Sequence, residues 1–218
     1  MSQIRVVLAD DHPVVLQGIK MLLDSVGGFD VVGLAKNGLE VVEMVEKIQP
    51  EVVMVDLMMP GLNGLEVVRQ LKHRCPHVRI VVFSMHADES YVLQALKNGA
   101  DGYVLKGCDP QVVEEALRSV AEGRRFLSSG ISDYAINSLI EKAQHSTNGA
   151  YDTLSARERE VMHLAAEGNS NADIGGKLFI SPRTVEVHRA SLMRKLGLKS
   201  QTDLVRYALG KGLMPLAV

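Results

Sequence analysis

The chain has 218 residues, 46% of them hydrophobic, and a formal net charge of −2, which can fill a core and excludes a fibrous or disordered polypeptide. No apolar run reaches the ~18 residues that cross a bilayer, the start Met1-Ser2-Gln3-Ile4-Arg5 lacks the charged-then-apolar order of a signal peptide, and Cys75 and Cys108 are too few for a disulfide framework and lack metal-ligand spacing; a cytoplasmic location with reduced thiols and no membrane partner is expected. The charge divides unevenly, since residues 151–218 hold 10 Lys+Arg against 7 Asp+Glu and the rest hold 14 against 19, so an acidic module is joined to a basic one suited to nucleic acid.

Short β-branched runs at Ile4–Ala9, Phe29–Ala35, Val52–Asp56, Ile80–Ser84 and Tyr103–Lys106 predict strands. Helical periodicity over Val14–Val26, Gly38–Ile48, Gly64–Arg74, Glu89–Asn98 and Gln111–Glu122 separates and follows them. Alternation of this kind implies an α/β fold with a doubly wound, five-stranded parallel sheet over residues 1–123, because each parallel crossover needs a helix. Residues 124–150 read as a linker, partly helical where Ile136, Leu139, Ile140 and Ala143 share a face, and ending in the polar stretch QHSTNGA. Over residues 151–218 the strand signal disappears and punctuation predicts a small all-α domain of four helices. Ser155 with Glu158 forms a capping box, Ser170 precedes Asp173, Ser181-Pro182 opens the third helix and Gly197 closes it, and Ser200 begins the fourth.

Sheets of this type bind ligands beyond the carboxyl ends of their strands. The predicted strands end in Asp10-Asp11, Asp56, Ser84 and Lys106, so these five residues converge on one rim. Three carboxylates together repel unless a cation stands among them, and their oxygen chemistry suits Mg²⁺. A lysine and a hydroxyl opposite the metal complete a cradle for a phosphoryl group, within which a carboxylate can serve as nucleophile. Taken singly, each acid is more simply a solvated strand end, Lys106 a surface lysine and Ser84 a helix cap; the joint placement carries the argument. His12, His73, His77 and His86 show no metal spacing and receive no role.

The motifs LADDHP, VDLMMPGLNG, FSMHAD and GADGYVLK resemble the receiver domain of two-component response regulators from about Ile4 to Glu122. That resemblance implies phosphorylation of Asp56 by a sensor histidine kinase. It makes Asp10, Asp11, Asp56 and the Met58 backbone carbonyl ligands of Mg²⁺, with Ser84 and Lys106 contacting the phosphoryl group. It makes Tyr103 the aromatic that turns inward when Ser84 moves. The family usually has Pro after the lysine, where this chain has Gly107.

In the basic tail, Arg183, Arg189, Arg194, Lys195 and Lys199 surround a helix whose only acid is Glu186, with Ile174, Leu178, Val185, Leu192 and Leu196 expected to pack inside. Charge alone is satisfied by a solvated helix of a small bundle. The stretches LSARERE and TVEVHRASLMRKLGL, however, resemble the LuxR-type helix-turn-helix of the NarL/FixJ subfamily over about Thr153–Gly212. The resemblance implies a scaffold helix near Asn171–Leu178 and a recognition helix near Pro182–Leu196. On the latter, Arg183, Thr184, Glu186, Val187 and Ala190 meet double-stranded promoter DNA, with Arg189, Arg194 and Lys195 as further cations. Glu186 stands where a lysine is frequent, and Gly175-Gly176 lie inside the scaffold helix, where each costs about 1 kcal/mol relative to Ala.

The whole then reads as a transcriptional regulator rather than an enzyme, homodimeric when phosphorylated, with RNA polymerase as a further partner. A haloacid-dehalogenase-type enzyme would need an acid at position 58, where Met58 stands, and a flavodoxin-like binder would not place Asp10-Asp11 in its phosphate loop. The remaining rival keeps the fold and regulates DNA binding without phosphate; Gly107 is the feature that speaks for it.

Overall fold

The structure is a computed structural model, and it describes residues 3–129, 131, 150–211 and 213. The linker helix expected at Ile136–Ala143 lies outside the described residues. The chain divides into two compact units, Met1–His145 and Ser146–Val218, each described by itself.

In the first unit the strands are β1 (Ile4–Ala9), β2 (Phe29–Ala35), β3 (Val52–Val55), β4 (Arg79–Ser84), β5 (Gly102–Leu105) and β6 (Phe126–Leu127). The helices are α1 (Pro13–Val26), α2 (Gly38–Ile48), α3 (Gly64–Arg74), α4 (Glu89–Lys97) and α5 (Pro110–Ala121). Local chemistry sets their starts: Pro13 and Pro110 occupy first turns, and the side chains of Asn37 and Asn63 accept from the Glu40 and Glu66 amides. All strands pair in parallel in the order β2-β1-β3-β4-β5-β6. Alternate residues feed two cores: Val7, Val53, Val55, Ile80 and Val82 face one, and Val6, Leu8, Met54, Val81 and Val104 the other. Burial on both faces is why the strands read as continuous apolar runs.

The sheet has six strands rather than the expected five. β6 contributes Phe126 and Leu127 beside Gly102 and Tyr103, and two residues are too few for any alternation to register in sequence. The Ser128 hydroxyl beyond it accepts from the Leu105 amide at 3.1 Å, so this short segment covers an otherwise open sheet edge. Strands β3 and β5 also stop one residue short of expectation, leaving Asp56 and Lys106 as the first residues of the turns that follow.

The second unit opens with a 3₁₀ turn (Ala150–Thr153) and continues with α6 (Ala156–Ala166), α7 (Asn171–Leu178), α8 (Pro182–Leu196) and α9 (Gln201–Gly210). Capping boxes start α6, α7 and α9, and Gly197 ends α8 in the left-handed conformation. Helix α6 is buried from Glu158 to Ala166 and is the centre of the unit. Ile174, Leu178, Val185 and Leu192 are buried as expected, whereas Leu196 is half-buried. No helix among the described residues is long and apolar enough to cross a membrane.

Candidate functional site

Strand order reverses direction about β1, which pairs with both β2 and β3. In doubly wound sheets the crevice at such a switch point is where ligands bind. Pairing of Ala9 with Val55 puts Asp10 and Asp56 in the same rank, just beyond the strand ends. The backbone holds them there: the Asp10 amide donates to Ala35 O and the Asp56 amide to Ala9 O, at 3.1 and 2.9 Å. Pairing of Ser84 with Leu105, continued by the Lys106 amide on Ser84 O at 2.7 Å, brings the lysine to the same rim.

Lys106 Nζ stands between the acids, 2.7 Å from Asp10 Oδ2 and 2.9 Å from Asp56 Oδ2. Both carboxylates are nearly closed to solvent, at 2% and 5% exposure. Burial pushes the Asp56 carboxyl up from its ordinary value, with the Asp10 charge adding to the push and Lys106 opposing it. Burial alone would draw Lys106 down, but its contacts with Asp10 and Asp56 outweigh that and hold it above the ordinary lysine value. Gly107 does not hinder the reach of Lys106. Its peptide bond is trans and its φ is +86°, a conformation open to glycine and closed to proline.

Ligand atoms of Asp10, Asp11, His12 and Asp56 all lie within 4.8 Å of one another. Asp10 Oδ2 and Asp11 Oδ1 are buried and accept no well-aligned hydrogen bond, although Lys106 Nζ and His12 Nδ1 each lie 2.7 Å from one of them. Buried carboxylate oxygens in this condition fit an oxygen-seeking cation. His12, assigned no role from its spacing, is drawn in by the fold: its Nδ1 lies 2.7 Å from Asp11 Oδ1 and 3.2 Å from Asp10 Oδ1. The signal missed was its place directly before the Pro13 that opens α1, which aims the imidazole back at the acids. Met58 sits half-buried in the turn two residues past Asp56.

Ser84 is fully buried at the end of β4, and its hydroxyl accepts from the His86 amide at 3.2 Å. Tyr103 is also fully buried and donates its hydroxyl hydrogen to His86 O at 2.7 Å. Tyr103 thus takes an inward position in this structure, where the His86 carbonyl satisfies the phenol. Two glycines position the turn after Asp56. A Cβ on Gly64 would run into the Asp56 carbonyl oxygen and one on Gly38 into the Leu62 carbonyl oxygen, so the turn is clasped between the starts of α2 and α3.

On α8, Val185 and Leu192 face inward, while Arg183, Thr184, Glu186, Val187, Ala190 and Arg194 are exposed. Several of the expected DNA-facing groups have partners within the unit. Thr184 Oγ1 lies 2.8 Å from Ser181 Oγ, and Arg189 donates to Asn171 Oδ1 at 3.0 Å and to Gln201 Oε1. Lys195 donates to Glu158 Oε2 at 2.6 Å and to Thr153 O at 3.3 Å. Arg183 donates to Glu186 Oε2 at 2.6 Å. Gly175 also gains a reason: a Cβ there would lie 2.7 Å from the Ile180 carbonyl oxygen in the turn between α7 and α8, whereas one on Gly176 would meet nothing within 4 Å.

Two family models match the chain, the response regulator receiver domain over residues 6–118 and the bacterial regulatory proteins of the luxR family over residues 152–208. The oxygen regulatory protein NreC of Staphylococcus carnosus is 37% identical over 214 residues, covering 96% of this chain and 99% of that protein. Among solved structures, a complex of the two-component response regulator RcsB with DNA matches at 29% identity and a TM-score of 0.58, over 96% of this chain and 99% of that one. A LuxR-family two-component response regulator from Aurantimonas matches at 32% identity and a TM-score of 0.57, over 66% of this chain and all of that one.

Proposed function

The chain belongs to the two-component response regulators of the NarL/FixJ subfamily, with a receiver domain and a LuxR-type DNA-binding domain, and from that premise we propose that a phosphoryl group on Asp56 controls how α8 engages promoter DNA. In this reading residues 1–123 form the receiver, 124–150 the linker and 151–218 the DNA-binding domain. The observation that carries it is the Lys106 ammonium between two buried carboxylates at the switch point of the sheet.

Asp56 attacks the phosphorus of a phosphohistidine on a sensor kinase. A carboxylate oxygen forms the new O–P bond as the N–P bond breaks, and the electron pair leaves with the imidazole. Asp10, Asp11, Asp56 and the Met58 carbonyl would hold Mg²⁺, which when bound neutralises phosphoryl oxygens that three acids would otherwise repel. Lys106 transfers its contact from Asp56 to the new oxygens, and Ser84 gives up the His86 amide to donate to them. Because Tyr103 already rests on His86 O, the movement begins in the turn after β4, between Ser84 and α4. That Lys106 reaches both acids across Gly107 supports this reading over a phosphate-independent regulator. Phosphorylated copies pair, as the RcsB dimers on DNA do, because two recognition helices one helical turn apart multiply a weak single contact. The chain works in the cytoplasm, and RNA polymerase is a further partner.

Intact-mass measurement after incubation with Mg²⁺ and acetyl phosphate tests the core of this. A single phosphoryl adduct is expected on wild type and none on Asp56→Ala, with promoter affinity rising in wild type alone. Equal promoter binding by treated Asp56→Ala and treated wild type would sink it.

A further inference from the structure

The exposed face of α8 holds a pair of opposite charges that contributes little to the fold. Arg183 and Glu186 lie one turn apart at the start of the helix, 79% and 57% exposed, joined at 2.6 Å. An exposed pair of this kind adds little stability. Its neighbours are committed elsewhere: Thr184 contacts the Ser181 cap, Arg189 bridges to Asn171 and Gln201, and Lys195 is tied to Glu158. Val187, 58% exposed, lies directly beside the pair. The first turn of α8 thus presents a guanidinium fork and a carboxylate oxygen held side by side, with no net charge between them.

That array has a specific complement. A G·C pair shows the major groove two acceptors, guanine N7 and O6, and then one donor, the cytosine N4 amino group. Arginine supplies two donors in a fixed fork and glutamate supplies an acceptor. An A·T pair alternates acceptor, donor and acceptor, so the same array leaves a donor facing a donor. A neutral pair also gains little from phosphates, so its contribution is to discrimination and not to general affinity.

We infer that Arg183 and Glu186 act as one reader of a single G·C base pair, Arg183 donating to guanine N7 and O6 while Glu186 accepts from cytosine N4. This rests on the reading of α8 as the helix that enters the major groove. The test is selection of sequences from a randomised duplex library by the intact, acetyl-phosphate-treated chain, followed by titrations of single-position variants of the selected site. Wild type, Arg183→Ala, Glu186→Ala and the double variant are compared, with circular dichroism confirming that these surface changes leave the fold intact. The expected result is one G·C position in each half-site whose change to A·T weakens wild type roughly 5- to 100-fold. Either single variant brings that preference to within about 3-fold, and the double variant goes no further, as expected of two groups acting as a unit. If the preference survives in Glu186→Ala and vanishes in Arg183→Ala, arginine reads alone and the joint reader is refuted. Uniform weakening with an unchanged motif refutes it as well, while leaving α8 as the DNA helix. If wild type selects no motif, the reading of α8 itself fails, and the reader with it.

Discussion

Two adjacent glycines in α7 make opposite demands, and replacing each with alanine separates them. Alanine at Gly176 adds a methyl group into open space on an exposed helical position, so only the backbone gain remains, about 1 kcal/mol. Alanine at Gly175 has the same gain but places its methyl 2.7 Å from Ile180 O and 3.4 Å from Pro182 N. The oxygen cannot yield freely, because the Ile180 amide is bonded back to Gly175 O at 3.0 Å and Phe179 is already left-handed at φ 55°. Overpacking against backbone costs roughly 1–3 kcal/mol. Gly176→Ala is therefore expected to stabilise, and Gly175→Ala to be neutral or destabilising by up to about 2 kcal/mol, a spread of about 1–3 kcal/mol between the two. For a unit of this size each kcal/mol moves the midpoint by about 4–8 °C, so calorimetry of the intact chain resolves the pair. Promoter affinity should fall only for Gly175→Ala, because the displaced turn carries the start of α8. Equal midpoints for the two variants would refute the close approach of turn and helix.

At the rim, Lys106→Met removes the cation from two carboxylates that stay buried, which should cost about 3–5 kcal/mol at neutral pH without metal. Since burial raises the Asp56 carboxyl in the fold, that variant should regain stability as pH falls and Asp56 takes up a proton, and also on adding Mg²⁺; urea unfolding at pH 7 and pH 5 with and without the ion reads both. In the second unit, burial holds His163 down to about 4, with Tyr151 Oη 3.1 Å from Nε2. Its folded value lies below its unfolded one, so its contribution is complete above about pH 6.5 and is lost as pH falls towards 4, up to about 3 kcal/mol. Denaturation midpoints measured across that range should be flatter in His163→Gln, and parallel profiles would count against it. Glu158 is brought down to about 2, because Lys195, the Ser155 amide and Ser191 outweigh its burial. Lys195→Met should therefore destabilise the unit at pH 7, and the effect should fade as pH falls from about 4.5, where Glu158 protonates in the unfolded chain, to about 2, where it protonates in the fold.

The rim was legible because strands buried on both faces announce themselves as apolar runs, and a polar residue at the end of such a run marks the turn. Asp10, Asp56, Ser84 and Lys106 all fall into place by that logic. What escaped depends on distances that no local pattern encodes. β6 is two residues long, and His12 matters only because Pro13 sets the entry to α1. The different roles of Gly175 and Gly176 arise from a carbonyl several residues away. The pairing of Lys195 with Glu158 is likewise set by the packing of α6 and not by the charge pattern of α8. The seat of the Tyr103 phenol escapes as well, because its acceptor is the His86 backbone carbonyl and carbonyls leave no mark in a sequence.

Lys106 follows β5, whereas the acids it joins follow β1 and β3, on the far side of β4. The electrostatic closure of the rim therefore spans the sheet and is local to no single loop. Opening β5 would withdraw the ammonium and leave Asp10 and Asp56 facing each other without it. Occupancy of the rim and the local stability of β5 are thus linked quantities, and the linkage runs both ways. A phosphoryl group that takes Lys106 as its partner tightens β5 by the same free energy that β5 lends to holding the phosphate. The strand next to the covered edge of the sheet becomes a gauge of the chemistry at its centre.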